Sequence, residues 1–296
     1  MSFRSILCFG LLSSAVACGS VSVESESDGG LSDAATVGLD GGAVLEDGGP
    51  GVPGPELKFQ FDYRFDKKGF FSDPKRRAAL EAAGRIWGKR IKSTFSNIPK
   101  GTFILVRDPQ QPTVAAQSFN IDYEIDDVLV FVGSAELGAD TLGIAAPSFG
   151  ISGVTDQALA TSLSDRSGKV PFQPWTAWCA FDETTSWFFD DSPDSSLAVP
   201  ADQMDFITVA LHELGHVLGF GTAEAFKAQI TAGKFVGKKA VTLYGGPVPL
   251  SGGAHFPKGV LGSDEHPLMD VSDPNGRRSL PLPLDIAVFE DLGYQF

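Results

Sequence analysis

The stretch that most constrains this chain is Val209-Ala210-Leu211-His212-Glu213-Leu214-Gly215-His216-Val217-Leu218-Gly219-Phe220. Residues four apart on an α-helix are separated by about 400° of rotation and ~6 Å of rise, so His212 and His216 project from one face. Two imidazoles placed in this way can hold one Zn²⁺ at ~2.0–2.1 Å each. Glu213 follows the first histidine directly, where its carboxylate is placed to accept a proton from water beside the metal rather than to bind the metal itself. Phe206, Val209, Ala210, Leu214, Val217 and Leu218 recur at helical spacing and predict a broad apolar face. Asp202 is the expected N-cap, Asp205 belongs in the first turn, and Gly219 is the expected stop.

The N-terminal end has a different character. Arg4 precedes an apolar run from Ile6 to Ala17, too short to span a bilayer and typical of an export signal over residues 1–17. It ends Ala15-Val16-Ala17-Cys18, which resembles the lipobox of bacterial lipoproteins. That resemblance implies cleavage before Cys18 and lipidation of its thiol. Gly19 is not the aspartate that retains some lipoproteins, so the expected location is the outer membrane or cell surface, or release outside the cell. A plain secretory signal cut nearby is the alternative. Residues 18–56 hold ten glycines and eight carboxylates with no lysine, arginine or aromatic residue. Such a segment cannot bury enough apolar surface to fold and reads as a disordered tether. It carries −8 of the chain's −14 charge, so the acidity is mainly a property of the tether. No basic stripe suggests nucleic acid.

Residues 57–296 are expected to form one domain, with an upper part over 57–219 and a lower part over 220–296. Leu57 to Phe65 alternates and predicts a half-buried strand. Asp73-Pro74 is a helix start, and the helix should reach Lys92 and bury Leu80, Ala83, Trp87 and Ile91. Thr102–Val106, Val128–Val132, Leu142–Ala146 and Thr176–Phe181 are strand candidates. The order strand, helix, strands, helix predicts a mixed α/β (α+β) domain whose mostly parallel sheet is backed by two helices. Cys179 is the one cysteine of this region, which excludes an internal disulfide; a small buried strand residue is the preferred reading over a latent metal ligand.

Catalytic zinc ordinarily takes three protein ligands. Beyond the first two, His255 and His266 are the remaining histidines, and Glu224 is a more distant alternative. His212-Glu213-x-x-His216-x-x-Gly219 resembles the metzincin zinc peptidases, whose fuller pattern ends in a third histidine and is followed by a Met-turn. Here Thr222 occupies that histidine position. An insertion before Gly252-Gly253-Ala254-His255, then Pro267-Leu268-Met269-Asp270, resembles the leishmanolysin-type branch and related bacterial secreted proteins. This resemblance implies a metzincin-like catalytic domain with an irregular lower subdomain. It implies His212, His216 and His255 as ligands of one zinc, Glu213 as general base and Met269 beneath the metal. The tail Leu282–Tyr294 would be the closing helix.

The activity so implied is zinc-dependent endopeptidase action on protein or peptide substrates by a monomer tethered through Cys18. A non-catalytic, zinc-stabilised binding lipoprotein is the alternative. A glycan hydrolase has less support, since Trp175, Trp178 and Trp187 read more simply as core or cleft-wall residues. The oxygen-rich run from Asp270 to Gly276 is a candidate calcium site, although it lacks the EF-hand pattern.

Overall fold

The computed structural model describes residues 56–138, 141–152, 156–190, 192, 198–262, 266–272 and 275–296, together with a strand at 16–18; of 16–18 and 151–152 only the backbone is described. The expected signal and tether lie outside the described residues, apart from that strand and Glu56. In chain order the elements of the upper part are β1 (Val16–Cys18), β2 (Phe59–Asp62), α1 (Pro74–Arg90), β3 (Phe103–Val106), β4 (Gln117–Asn120), β5 (Val128–Ala135), β6 (Gly143–Ser148), β7 (Gly150–Ser152), α2 (Gln157–Gly168) and β8 (Thr176–Asp182). There follow β9 (Trp187–Phe188), β10 (Met204–Asp205) and α3 (Phe206–Val217). The lower part holds α4 (Glu224–Lys227), β11 (Ile230–Thr231), β12 (Lys234–Phe235), α5 (Lys238–Tyr244), β13 (Val248–Pro249) and α6 (Pro283–Asp291).

The main sheet has the order β1-β6-β8-β5-β2. Strands β2, β5 and β8 run parallel, while β6 is antiparallel to β8 and β1 is antiparallel to β6. The mixed α/β architecture expected from the element order is therefore present. β5 and β8 are buried at every position, as parallel strands covered on both faces must be. Their side chains divide with period two. Val128, Val130, Val132, Ala177, Cys179 and Phe181 join the core shared with α1 and α3, whereas Leu129, Phe131 and Trp178 join a second core with Ile104, Val106 and Trp175.

Local chemistry accounts for the backing helices. The Asp73 carboxylate accepts from the Lys75 amide at 2.9 Å, and Pro74 holds the first position without needing a donor. Leu80, Ala83, Trp87 and Ile91 are buried, as their spacing predicts. The helix stops at Arg90 rather than Lys92, because Ile91 turns to extended geometry (φ −89°, ψ 119°). The Lys92 amide then donates to the Gln295 carbonyl at 2.7 Å. Across the helix pair, Trp87 Nε1 donates to the Leu211 carbonyl at 3.0 Å, one residue before the first histidine.

Three expectations need correction. The strand predicted over Leu57–Phe65 contracts to Phe59–Asp62, half-buried throughout. The run Thr102–Val106 forms β3, but in a separate sheet of order β4-β3-β7, where Phe103 is 42% exposed. The lower part is less irregular than expected: β11, β12 and β13 form a small antiparallel sheet beside α4 and α5. Its two-residue strands are too short to leave a period in the sequence.

Gly88 lets α1 approach β2, since a Cβ there would run into the Leu57 carbonyl oxygen. Gly→Ala inside a helix normally gains about 1 kcal/mol. Here Gly88→Ala is expected to lose about 1–3 kcal/mol through overpacking against backbone. Urea denaturation would show the reversed sign, and a gain in stability would mean that the contact yields.

Candidate metal centre

Every residue of α3 is buried, including His212, Glu213 and His216. Polar side chains in such a place must be compensated, and the helix is secured at both ends. At its start Asp205, not Asp202, is the N-cap, and it accepts from the Thr208 amide at 3.0 Å and hydroxyl at 2.7 Å. Arg278 adds a two-pronged contact, Nε to Oδ2 at 2.9 Å and Nη2 to Oδ1 at 2.8 Å. That pairing spans 73 residues, so no local pattern announces it. At the helix end Gly219 takes φ +103°, the turn expected of it. Thr222, three residues beyond Gly219, donates its hydroxyl to the His216 carbonyl at 2.6 Å. The Tyr294 hydroxyl donates to the Leu218 carbonyl at 3.0 Å.

The third histidine arrives from the lower part. Gly252 and Gly253 have φ of +59° and +74°, and the reversal pairs Ser251 with His255. Gly221 makes room, because a Cβ there would lie 2.7 Å from the Ala254 Cα. His212, His216 and His255 thereby come together as a buried group whose ligand atoms all lie within 4.8 Å of one another. His266 is not part of it; it faces Asp270 at 3.7 Å. Glu224 is also elsewhere, in α4 beside Lys227. Cys179 is a buried core residue of β8, and burial first, then the nearby Glu213 charge, pushes its thiol well above the usual range.

The nitrogens are oriented as metal ligands require. His212 Nδ1 lies 2.7 Å from the Leu268 carbonyl, and His216 Nδ1 lies 2.8 Å from the Phe220 carbonyl. A carbonyl only accepts, so each Nδ1 carries the proton and each Nε2 presents a lone pair. His216 Nε2 is 3.1 Å from His212 Nε2 and 3.0 Å from His255 Nε2. With lone pairs on His212 and His216, their Nε2 contact is not a hydrogen bond. A tetrahedral ion at ~2.0–2.1 Å from each nitrogen would separate them by roughly 3.3–3.4 Å. These two separations are close to that spacing, and the three donors are close enough to bind a metal ion. Burial lowers the histidines, His212 to about 4, His255 to about 3 and His216 well below the ordinary value. All three are neutral near pH 7, as metal binding needs.

Behind the centre, Met269 packs on α3 at Gly215, where a Cβ would lie 2.5 Å from its Sδ. Asp285 of α6 braces this turn. Its carboxylate accepts from the amides of Leu268 and Met269 at 2.9 Å each, and from Leu282 at 2.8 Å. The Leu268 carbonyl in turn receives His212 Nδ1–H, so Asp285 positions a histidine through the backbone of the turn. The sequence reading assigned Asp285 no role. Its only local signal was an acidic residue in the first turn of a Pro-started helix. On the opposite side Gly143 of β6 meets Glu213: a Cβ there would stand 2.6 Å from Oε1.

No protein-family model and no curated protein matches the sequence.

Asp285→Ala is expected to weaken metal retention about tenfold or more, by freeing the turn that aims His212. Competition with a chromophoric chelator measures it; unchanged affinity would show that the turn holds without its brace. A second expectation concerns pH. Because the folded imidazoles resist protonation, the unfolded chain binds more protons below the ordinary value of 6.5. Metal-free protein should therefore have this contribution in full above that pH and lose it as pH falls toward about 4 and about 3. Burial raises Asp285 from 3.8 to about 6, despite its three amide donors. Its contribution has the opposite sign, being present below 3.8 and lost as pH rises through about 6, one group against three. Urea midpoints of metal-free protein should fall on acidification, and a flat profile would contradict the buried neutral histidines.

Proposed function

We propose that this chain is a zinc-dependent endopeptidase. The observation that carries the reading is the buried cluster of His212, His216 and His255, with Glu213 next to the first of them on the same helix. Strand β1 lies antiparallel on the outer edge of β6, with Ala17 opposite Ile144 and Cys18 opposite Gly143. Gly143 is also the residue whose missing side chain admits the Glu213 carboxylate. Val16 and Ala17 belong to the expected signal, so its removal would leave this edge to a substrate, whose main chain along β6 would then pass near Glu213.

Three close imidazole donors suit Zn²⁺, which when bound would act as a Lewis acid toward a carbonyl and lower the pKa of water. The protein's own groups supply the rest. His212, His216 and His255 would hold the ion, the first two fixed in orientation by carbonyls. Glu213 takes a proton from the attacking water and delivers it to the departing amine nitrogen. The β6 edge aligns the peptide through main-chain hydrogen bonds, which favour no particular side chain. Met269 and Asp285 keep the ligand set rigid from behind. The reading agrees with the resemblance of His212–Gly219, His255 and Met269 to the metzincins. Export and lipid attachment at Cys18 belong to the same proposal, which places the peptidase on a membrane surface facing extracytoplasmic proteins.

The test is cleavage of a mixed peptide library by zinc-loaded protein, with Glu213→Gln alongside. The variant is expected to retain zinc and lose at least about a hundredfold of the rate, the usual contribution of a positioned base. Equal cleavage by both would remove Glu213 from the mechanism. Zinc uptake with no cleavage by either would favour a binding lipoprotein.

A further inference from the structure

The fourth histidine has its own partner. Asp270 closes the Met269 turn and is fully buried, with its amide donating to the Pro267 carbonyl at 3.1 Å. Its Oδ1 accepts from the Ser272 amide at 3.0 Å and hydroxyl at 3.2 Å. Among the described residues, its Oδ2 is buried without a hydrogen-bond donor. Facing Oδ2 at 3.7 Å is Nδ1 of His266, also buried and, among the described residues, without a hydrogen-bond partner. The His266 side chain is 18% exposed, so the pair lies just beneath the surface.

A separation of 3.7 Å is too long for an N–H···O bond, which spans ~2.7–3.2 Å. It suits two donors that share one small cation, since ion–ligand distances of ~2.1 Å then give an angle of about 120° at the ion. The local electrostatics also call for positive charge. Asp285 is a second fully buried carboxyl, and the charge of Asp270 acts on it. Asp285 is compensated by three amides, whereas Oδ2 of Asp270 has none. A buried carboxylate oxygen lacking a donor costs several kcal/mol of desolvation unless a charge compensates it.

We infer that His266 and Asp270 form a second divalent-cation site, distinct from the three-histidine cluster, with water completing the coordination from the exposed side. One imidazole nitrogen with one carboxylate oxygen selects borderline ions such as Zn²⁺ or Co²⁺. Calcium prefers a cage of oxygens, so the imidazole argues against calcium, the candidate ion for the run Asp270–Gly276, which otherwise reads as a solvated turn. Of that run, residues 273–274 lie outside the described residues, and the Ser272 hydroxyl is engaged with Asp270. The inference does not depend on peptidase activity.

Metal stoichiometry decides it. Full-length protein loaded with Zn²⁺ or Co²⁺ and then gel-filtered should carry two equivalents by elemental analysis. His266→Ala and His266→Gln should each carry one, and retention of that equivalent shows that the variant is folded. His255→Ala should lose the other equivalent while keeping this one. In cobalt-loaded protein, the visible bands should change in intensity with His266→Ala. A single equivalent in the unaltered protein, or two equivalents in both His266 variants, would overturn the inference.

Discussion

Convergent imidazole nitrogens in a buried pocket set the terms for this structure. His216 Nε2 stands 3.1 and 3.0 Å from the corresponding atoms of His212 and His255, and burial keeps all three rings neutral. Protonation would be one way to relieve the crowding, but it would bury positive charge at close range. A shared metal ion relieves it differently, because the same lone pairs that repel one another become its ligands and share its charge. An α-helix with twelve buried residues and two histidines on one face is thus unfavourable as plain core and favourable as a metal scaffold.

The three rings are held by different parts of the chain. His216 is fixed by the Phe220 carbonyl at the exit of its own helix, while His212 is fixed by Leu268, 56 residues away. His255 comes in on a glycine turn of the lower part. The ligand set therefore exists only when the lower part is docked on the upper. Asp285, Tyr294 and Arg278 each connect the C-terminal segment to this helix or its turn. A metal bound at the centre stabilises all these contacts together, because it binds the folded arrangement alone.

What the sequence revealed was local. Asp73-Pro74 fixed the start of α1, the β-branched run Val128–Val132 announced a central strand, and Gly219 ended α3 where its conformational freedom allowed. The pairing of Asp205 with Arg278 and the bracing by Asp285 were illegible, because each joins residues whose neighbours carry no trace of the partner. Asp156 caps α2, but of Gln157–Gly168 only Leu163 and Arg166 are buried, so little there marks a core-facing helix. The choice of His255 over His266 rested on the resemblance and on His266 lying three residues before Met269, within the turn. What the sequence did not show is that the Gly252-Gly253 reversal carries His255 to the helix.

Glycine has a second role here that sequence reading tends to miss. Gly143 lies in a strand and Gly215 in a helix, both with ordinary backbone geometry, so neither is needed for a turn. Glycine inside a helix costs about 1 kcal/mol relative to alanine. At Gly215 the space left open is filled by Met269, and at Gly143 by the carboxylate of Glu213. Gly221 does the same for the backbone at Ala254, next to the third histidine. In each case the missing methyl group sets the distance between α3, or the turn that follows it, and another piece of chain. The geometry of the centre is accordingly specified as much by these close approaches as by the histidines, and a search for ligand residues alone would find the donors without finding what brings them together.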